Sequence, residues 1–167
     1  MRQPVLLSKV PNMPTPPADA DLEQQPGYFI RRLQQIAVAI FLEETQSHGI
    51  TPVQYAALYA ALRQPGLDQR TLASTIGFDT STIGGVIDRL ERRGLIERQA
   101  SPTDRRVRLL QVTSAGKALL DEVMPAMLQA QQRILAPLAA ADRPRFLAML
   151  RTLVEANNDL SRAPSDV

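Results

Sequence analysis

The chain has 167 residues, is 44% hydrophobic and 22% charged, and carries a net charge of +2, an ordinary balance for one globular domain long enough to build a core. The lack of cysteine excludes disulfides, thiol redox chemistry and cysteine–zinc sites, and the single histidine, His48, excludes a multi-histidine metal centre, so neither metal nor cofactor is expected. No uncharged apolar run approaches the roughly 18 residues of a membrane span, and Val5-Leu6-Leu7 is too short for a signal-peptide core, so a cytoplasmic protein is expected.

Residues 1–26 contain Pro4, Pro11, Pro14, Pro16, Pro17 and Pro26, which predicts an extended or mobile arm. A long helix is expected over 27–48. Phe29, Leu33, Ile36 and Ile40 recur at helical spacing, Ile30, Ala37 and Phe41 widen the stripe, and Gly49 closes it. Thr51-Pro52 opens a second helix, a capping hydroxyl followed by proline at the first helical position. It carries Tyr55, Leu58, Tyr59 and Leu62 and stops at Gln64-Pro65-Gly66.

A short helix follows over 68–76, with Asp68 as its cap and Leu72, Ala73 and Ile76 facing inward. Gly77-Phe78 turns the chain into another helix over 79–93, buried through Ile83, Val86, Ile87 and Leu90 and closed by Gly94. Two short helices joined by a brief glycine-containing turn are the pattern of a helix-turn-helix. Strands are then expected over 95–99 and 107–112, joined by the turn residues Ser101-Pro102-Thr103-Asp104, so a β-hairpin wing follows the second helix of the motif.

Thr113 caps a long helix over 114–138 with Leu119, Leu120, Val123, Met127 and Ile134 on its stripe and Pro125 as a potential kink. A last helix over 142–160 carries Phe146, Leu150, Leu153 and Leu160, and 161–167 form a tail. The fold class is therefore mainly α with a small two-stranded β-wing. A single domain over 27–160 holds a winged helix-turn-helix lobe, about 51–112, and dimerisation helices over about 27–48 and 114–160. Apolar stripes at both ends of the chain with no core of their own to cover predict a homodimer.

The helix over 79–93 presents Thr80, Ser81, Thr82, Gly84, Gly85, Asp88, Arg89 and Arg92 on the face opposite its apolar stripe. Hydroxyls at a helix start bond phosphates and base edges, and the helix N-terminus itself attracts phosphate. Two adjacent glycines cost roughly 1 kcal/mol each relative to alanine inside a helix, so close approach of a groove wall, or of another helix, is expected there. At the wing, Asp104, Arg105 and Arg106 follow the turn. The arginines suit a narrow minor groove, with Asp104 orienting one of them through an ion pair. Seventeen of the nineteen basic residues are arginine, which matches phosphate and guanine recognition but is also what a GC-rich genome writes everywhere.

The stretch IGGVIDRLERRGLI from Ile83, followed by DRRVRLLQVTSAG from Asp104 to Gly116, resembles the multiple-antibiotic-resistance regulator (MarR) family. The family's wing signature, Asp-x-Arg then Leu-x-Leu-Thr, is met by Asp104, Arg106, Leu110 and Thr113, with Val112 in place of the second leucine. Gly84-Gly85 stands where family members often carry longer polar side chains. The resemblance spans about Gly27 to Leu160 and implies a triangular dimer with one winged-helix lobe per subunit. It further implies a small phenolic or carboxylate effector held near the first, second and fifth helices, for which Tyr28, Arg31, Arg32, His48, Tyr55 and Tyr59 are the candidates. The segment PGYFIRRLQQIAVAIFLEE is similar to repressors of aromatic-acid catabolism.

The expected function is a ligand-responsive repressor on double-stranded DNA with a pseudo-palindromic operator. Ser81, Thr82 and Gly85 face bases, Arg89 and Arg92 meet phosphate or a base edge, and Arg105 and Arg106 reach the minor groove. The alternative is a winged-helix dimer that docks another protein. An enzyme is poorly supported: there is no glycine-rich phosphate loop, no nucleophile–base arrangement and no catalytic residue to name, and Glu43-Glu44 are expected to point apart on their helix.

Overall fold

A computed structural model describes residues 21–104 and 106–161. It contains six α-helices, α1 (Pro26–Glu44), α2 (Pro52–Arg63), α3 (Gln69–Thr75), α4 (Thr80–Arg92), α5 (Ser114–Leu135) and α6 (Asp142–Ala156), and two strands, β1 (Ile96–Ala100) and β2 (Arg108–Val112). The chain divides into two units, one ending at Gln35 and one beginning at Ile36.

In the first unit a 3₁₀ turn over Leu22–Gln24 is capped by Asp21, and Pro26 already begins α1. The expected arm is therefore corrected over 21–26, and its remainder lies outside the described residues. Pro26 is tolerated because the first helical residue needs no N–H for the helix ladder.

In the second unit the elements start where local chemistry places them. Thr51 and Gln54 form a reciprocal capping box at α2, and Asp68, Asp79 and Thr113 cap α3, α4 and α5 through side-chain oxygens that accept backbone N–H groups. Three expected helix ends are corrected inward. α1 stops at Glu44, where the Thr45 hydroxyl donates to the Phe41 carbonyl at 2.8 Å, and a separate 3₁₀ turn covers Gln46–His48. α5 stops at Leu135, because Pro137 has no N–H to continue the ladder. α6 stops at Ala156, where the Asn157 amide takes the Leu153 carbonyl at 2.8 Å.

The strands pair antiparallel from Ile96 opposite Val112 to Ala100 opposite Arg108. The segment before α3 extends this sheet: Asp68 bridges to Leu109, and the Leu110 N–H donates to the Leu67 carbonyl at 2.8 Å. The main core lies where α2, α3, α4, the strands and the start of α5 meet. Leu58, Leu72, Ile83, Ile87, Leu90, Ile96, Leu110 and Leu120 are fully buried there. Each such side chain contributes about 1.5–3 kcal/mol of burial, which holds α4 rigidly against the lobe with its opposite face outward. A smaller cluster joins Phe41, Ile50, Val123 and Ala130.

Both carboxylates of Glu43 and Glu44 reach Arg133 on α5, Glu43 at 3.1 Å. The expectation that they point apart is corrected: adjacent helical residues diverge at Cα, yet both side chains are long enough to converge on one two-pronged guanidinium. α6 buries none of its residues. Leu147, Leu150, Leu153 and Val154 share one exposed apolar face, and Leu153 and Val154 are 54% and 62% accessible.

Candidate nucleic-acid interface and effector residues

α3 and α4 are set against each other by a polar bridge and a small residue. Gln69 on α3 donates from Nε2 to the Thr80 carbonyl at 3.2 Å, and a Cβ on Gly84 would stand 3.1 Å from that nitrogen. Gly84 is therefore a helix–helix packing position. Gly85 meets nothing beyond an ordinary 3.7 Å contact with Arg89 Nη1, so of the two glycines it is the one that leaves room in front of α4.

The start of α4 is organised by Asp79. Its carboxylate accepts the Thr82 N–H at 2.8 Å, the Thr82 hydroxyl at 2.7 Å and the Ser81 hydroxyl. The hydroxyl bonds, Ser81 first, and the Thr82 N–H hold the Asp79 carboxyl well below the usual carboxylate range. The hydroxyl protons of Ser81 and Thr82 are thus directed at Asp79, which leaves their oxygens as acceptors toward solvent. Thr80, Ser81, Thr82, Arg89 and Arg92 are all exposed. Thr82 and Arg89, like Gly85 and Arg92, are seven residues apart and share one face.

The acidic residues of α4 are drawn elsewhere. Arg98 on β1 pairs with Asp88 at 2.5 Å and with Glu91. Burial works against the Arg98 charge, but the two carboxylates outweigh it and raise its pKa. Among the described residues Arg89 and Arg92 pair with no carboxylate. Arg93 donates to the Gly49 carbonyl at 2.8 Å and to that of His48 at 3.4 Å, tying the end of α4 to the loop before α2.

At the wing, Ser101 is buried and its hydroxyl oxygen accepts the N–H groups of Thr103 and Asp104, as the turn residues predict. The expected ion pair between Asp104 and an arginine is not found among the described residues. Asp104 Oδ1 instead accepts the Arg106 backbone N–H at 2.9 Å, an aspartate turn that shapes the hairpin tip. The Arg106 side chain is exposed, and Arg105 lies outside the described residues.

The effector candidates fall in both units. In the first, the Arg31 and Arg32 guanidinium carbons stand 5.9 and 6.0 Å from the Tyr28 ring centroid. In the second, Tyr55 and Tyr59 stack at 5.9 Å with an interplanar angle of 12°, and Phe41 packs on Tyr55. Burial, then the Tyr59 phenol, push the Tyr55 pKa up, and its hydroxyl donates to the sulfur of Met124 at 3.9 Å. His48 is half-buried and its Nδ1 lies 3.1 Å from the Ser47 hydroxyl.

A model of the MarR family matches residues 48–107. The HTH-type transcriptional repressor NicR of Pseudomonas putida is 31% identical over 140 residues, which cover 83% of this chain and 88% of NicR. The chain belongs to the MarR family. Its structure is similar to that of BpsR of Bordetella bronchiseptica, described as regulated in its DNA binding by 6-hydroxynicotinic acid (TM-score 0.75, 31% identity, 78% of this chain and 94% of that one). It is also similar to the repressor CouR of Rhodococcus jostii in complex with a 23-mer DNA duplex (TM-score 0.76, 29% identity, 84% of this chain and 99% of that one).

As a MarR-family member the chain is a DNA-binding transcriptional regulator of the winged-helix class. The relatives support that reading and give no support to the protein-docking alternative. Among the described residues no helix is long and apolar enough to cross a membrane. Three residues that organise this MarR-type lobe, Gln69, Arg93 and Arg98, were not visible as such in the sequence. An arginine or glutamine has no periodic signature, and their partners lie 7 to 45 residues away.

Proposed function

We propose that the protein is a transcriptional repressor whose DNA binding is controlled by a small aromatic acid or phenol, acting as a homodimer on a pseudo-palindromic operator. The observation that carries this reading is the outward face of α4. A capped N-terminus bears acceptor hydroxyls from Ser81 and Thr82, Gly85 leaves an open approach, and Arg89 and Arg92 stand free of carboxylates further along the same helix. In a symmetric dimer two such helices enter successive major grooves about 34 Å apart. Thr80, Ser81, Thr82 and Gly85 approach bases and phosphates at the helix start, Arg89 and Arg92 hold phosphate or a base edge, and Gly84 acts by setting the distance between α3 and α4. Arg105 and Arg106 reach the minor groove from the wing, with Asp104 shaping the turn that presents them.

The BpsR likeness supports an aromatic acid as effector. The stacked pair Tyr55–Tyr59 is an aromatic platform with the chemistry to receive such a ring, and His48 lies shortly before it in sequence. Arg31 and Arg32, with Tyr28, retain the role that family membership suggests for them, a guanidinium for a carboxylate. An acid that binds one arrangement of the dimer better than the DNA-binding one lowers operator affinity by that difference. A regulator of this kind works where the DNA is, in the cytoplasm.

The test is fluorescence anisotropy with duplexes from upstream of the protein's own gene and its neighbours, at two salt concentrations, with and without a panel of aromatic acids. Tight, salt-dependent binding that one acid weakens is the expected result. Joint replacement of Arg105 and Arg106 by alanine should reduce it. Unchanged affinity in that variant would remove the wing from the interface, and no sequence-preferring binding under any condition would overturn the reading.

A further inference from the structure

On α4 the acid Asp88 precedes the base Arg92 by four residues, the order and spacing at which a helical acid captures a base most readily. The Arg92 side chain is already folded back toward Asp88, with Nε donating to the Asp88 main-chain carbonyl at 3.3 Å. Yet the Asp88 carboxylate does not hold the Arg92 guanidinium, and among the described residues no other carboxylate does. The Asp88 carboxylate is turned instead to Arg98 on β1, at 2.5 Å, and Glu91 reaches the same guanidinium from the next turn of α4.

The sheet puts Arg98 in that place. Alternation along β1 sets it on the same face as the buried Ile96, and the strand register sets it opposite the buried Leu110. Its stem therefore lies toward the lobe, and its side chain is 23% exposed, against 59% for Asp88 and 39% for Glu91. The cation is the member of the group that packing fixes, and the two acids come to it. The pairing also offsets two negative charges near the C-terminal end of α4, where the helix dipole disfavours them.

We infer that Arg98 is a positioning residue for operator binding, which acts by taking Asp88 away from Arg92 so that the Arg92 guanidinium stays free for DNA. The inference rests on the operator-binding reading above and adds a residue that the reading does not use. Without Arg98, the Asp88 carboxylate has Arg92 within reach on its own helix face. A phosphate must then displace a carboxylate before Arg92 can hold it, and the positive charge that meets the DNA backbone falls by that of one arginine. Glu91 has no such base to capture, because Gly94 and Leu95 stand three and four residues beyond it. Asp88 is therefore the acid through which Arg98 acts.

The experiment measures operator affinity by anisotropy over a range of salt for the unsubstituted protein, Arg98→Gln, Arg98→Gln/Asp88→Asn and Arg98→Gln/Glu97→Gln. Asp88 and Glu91 are open to water, so loss of Arg98 leaves no buried unpaired charge, and thermal melts check that each variant folds. Arg98→Gln should weaken binding and lower the slope of log affinity against log salt by about one. Both double variants restore the net charge of the unsubstituted protein, but only Asp88→Asn removes the competitor for Arg92. Glu97 lies on the other face of β1, where it accepts from the Gln99 amide at 2.7 Å. The Asp88→Asn double variant should recover the slope and most of the affinity, and the Glu97→Gln double variant should keep the reduced slope. Arg98→Lys, a milder change that keeps the charge but loses the fork shared between two acids, should fall between the unsubstituted protein and Arg98→Gln and be rescued by the same Asp88→Asn. Unchanged affinity and slope in folded Arg98→Gln would overturn the inference. Equal weakness of the two double variants would make Arg98 a brace between wing and α4 or a DNA contact in its own right, and equal recovery would reduce its effect to net charge. Either result overturns the inference and leaves operator binding intact. Failure of the unsubstituted protein to bind any duplex would overturn both the inference and the reading beneath it.

Discussion

Gly84 on α4 lies so close to α3 that a Cβ there would stand 3.1 Å from Gln69 Nε2, the amide nitrogen that bonds the Thr80 carbonyl. The adjacent Gly85 has no such neighbour. The two glycines thus have different tasks, and alanine separates them. Gly85→Ala should gain about 1 kcal/mol from helix propensity and raise the melting temperature, while lowering operator affinity because a methyl group now occupies the approach to DNA. Gly84→Ala should gain less, because the Gln69 amide must move off Thr80. Thermal melts and anisotropy titrations on the same samples decide this. A Gly85→Ala variant both more stable and undiminished in binding would place Gly85 outside the interface.

Gly116 is the glycine with the least room. A Cβ there would lie 2.1 Å from the Leu95 carbonyl oxygen and 2.9 Å from Val112 Cγ1. The first turn of α5 is pressed against the strand start, with the Thr113 N–H donating to that same Leu95 carbonyl at 3.1 Å and the Thr113 hydroxyl to the Gly94 carbonyl at 2.7 Å. Backbone atoms cannot step aside as a side-chain end can. Gly116→Ala should therefore cost at least about 1–3 kcal/mol, the range of overpacked sites, read as a lower urea midpoint with an unchanged slope.

Two helix caps make the lobe sensitive to acid. Asp68 is held below its ordinary pKa first by the Thr71 N–H, and Asp79 by the Ser81 and Thr82 hydroxyls and the Thr82 N–H. A folded pKa below the unfolded value of about 3.9 means that the stabilisation is fully present above that value and is lost progressively as pH falls from there through the lower folded pKa. The urea midpoint should therefore be flat from pH 7 to about 5 and decline below about 4. In Asp68→Asn/Asp79→Asn, whose amides still cap but do not titrate, the decline should be shallower. An equally steep decline in the double variant would assign the acid sensitivity to other groups.

The exposed face of α6 predicts where the homodimer closes. Leu153 and Val154 are more than half accessible, on a helix that buries nothing within its own chain. Leu153→Glu/Val154→Glu should shift sedimentation equilibrium toward monomer and lower operator affinity at least tenfold, because a lone lobe reaches only half a palindrome. The melting of the isolated lobe core, which these residues do not enter, should change little at high dilution. A variant that remains dimeric would move the interface off this face.

Much of the lobe was legible because its signals are local. A cap and the N–H it serves lie within three residues, as for Thr51 with Gln54, Asp68 with Thr71 and Asp79 with Thr82. Gly49, Gly77 and Gly94 take positive φ at the turns where glycine marks a helix end. The apolar period of α4 identified its buried side, and by subtraction its outward face. That is why Ser81, Thr82, Arg89 and Arg92 are legible in the sequence as residues of that outward face.

What the amino-acid order determined by itself was therefore the run of elements, the helix-turn-helix with its wing, and the side of α4 that meets solvent. Only the tertiary structure decided which polar groups meet. It turned Asp88 and Glu91 to Arg98, brought Glu43 and Glu44 together on Arg133, spent Asp104 on a backbone N–H, and tied Arg93 to the carbonyls of His48 and Gly49. The physical reason is one of range. Capping and amphipathic period act over three or four residues along one helix. A hydrogen bond or ion pair between elements requires placement to within an ångström, and that placement comes from how the buried leucines and isoleucines of the whole lobe pack.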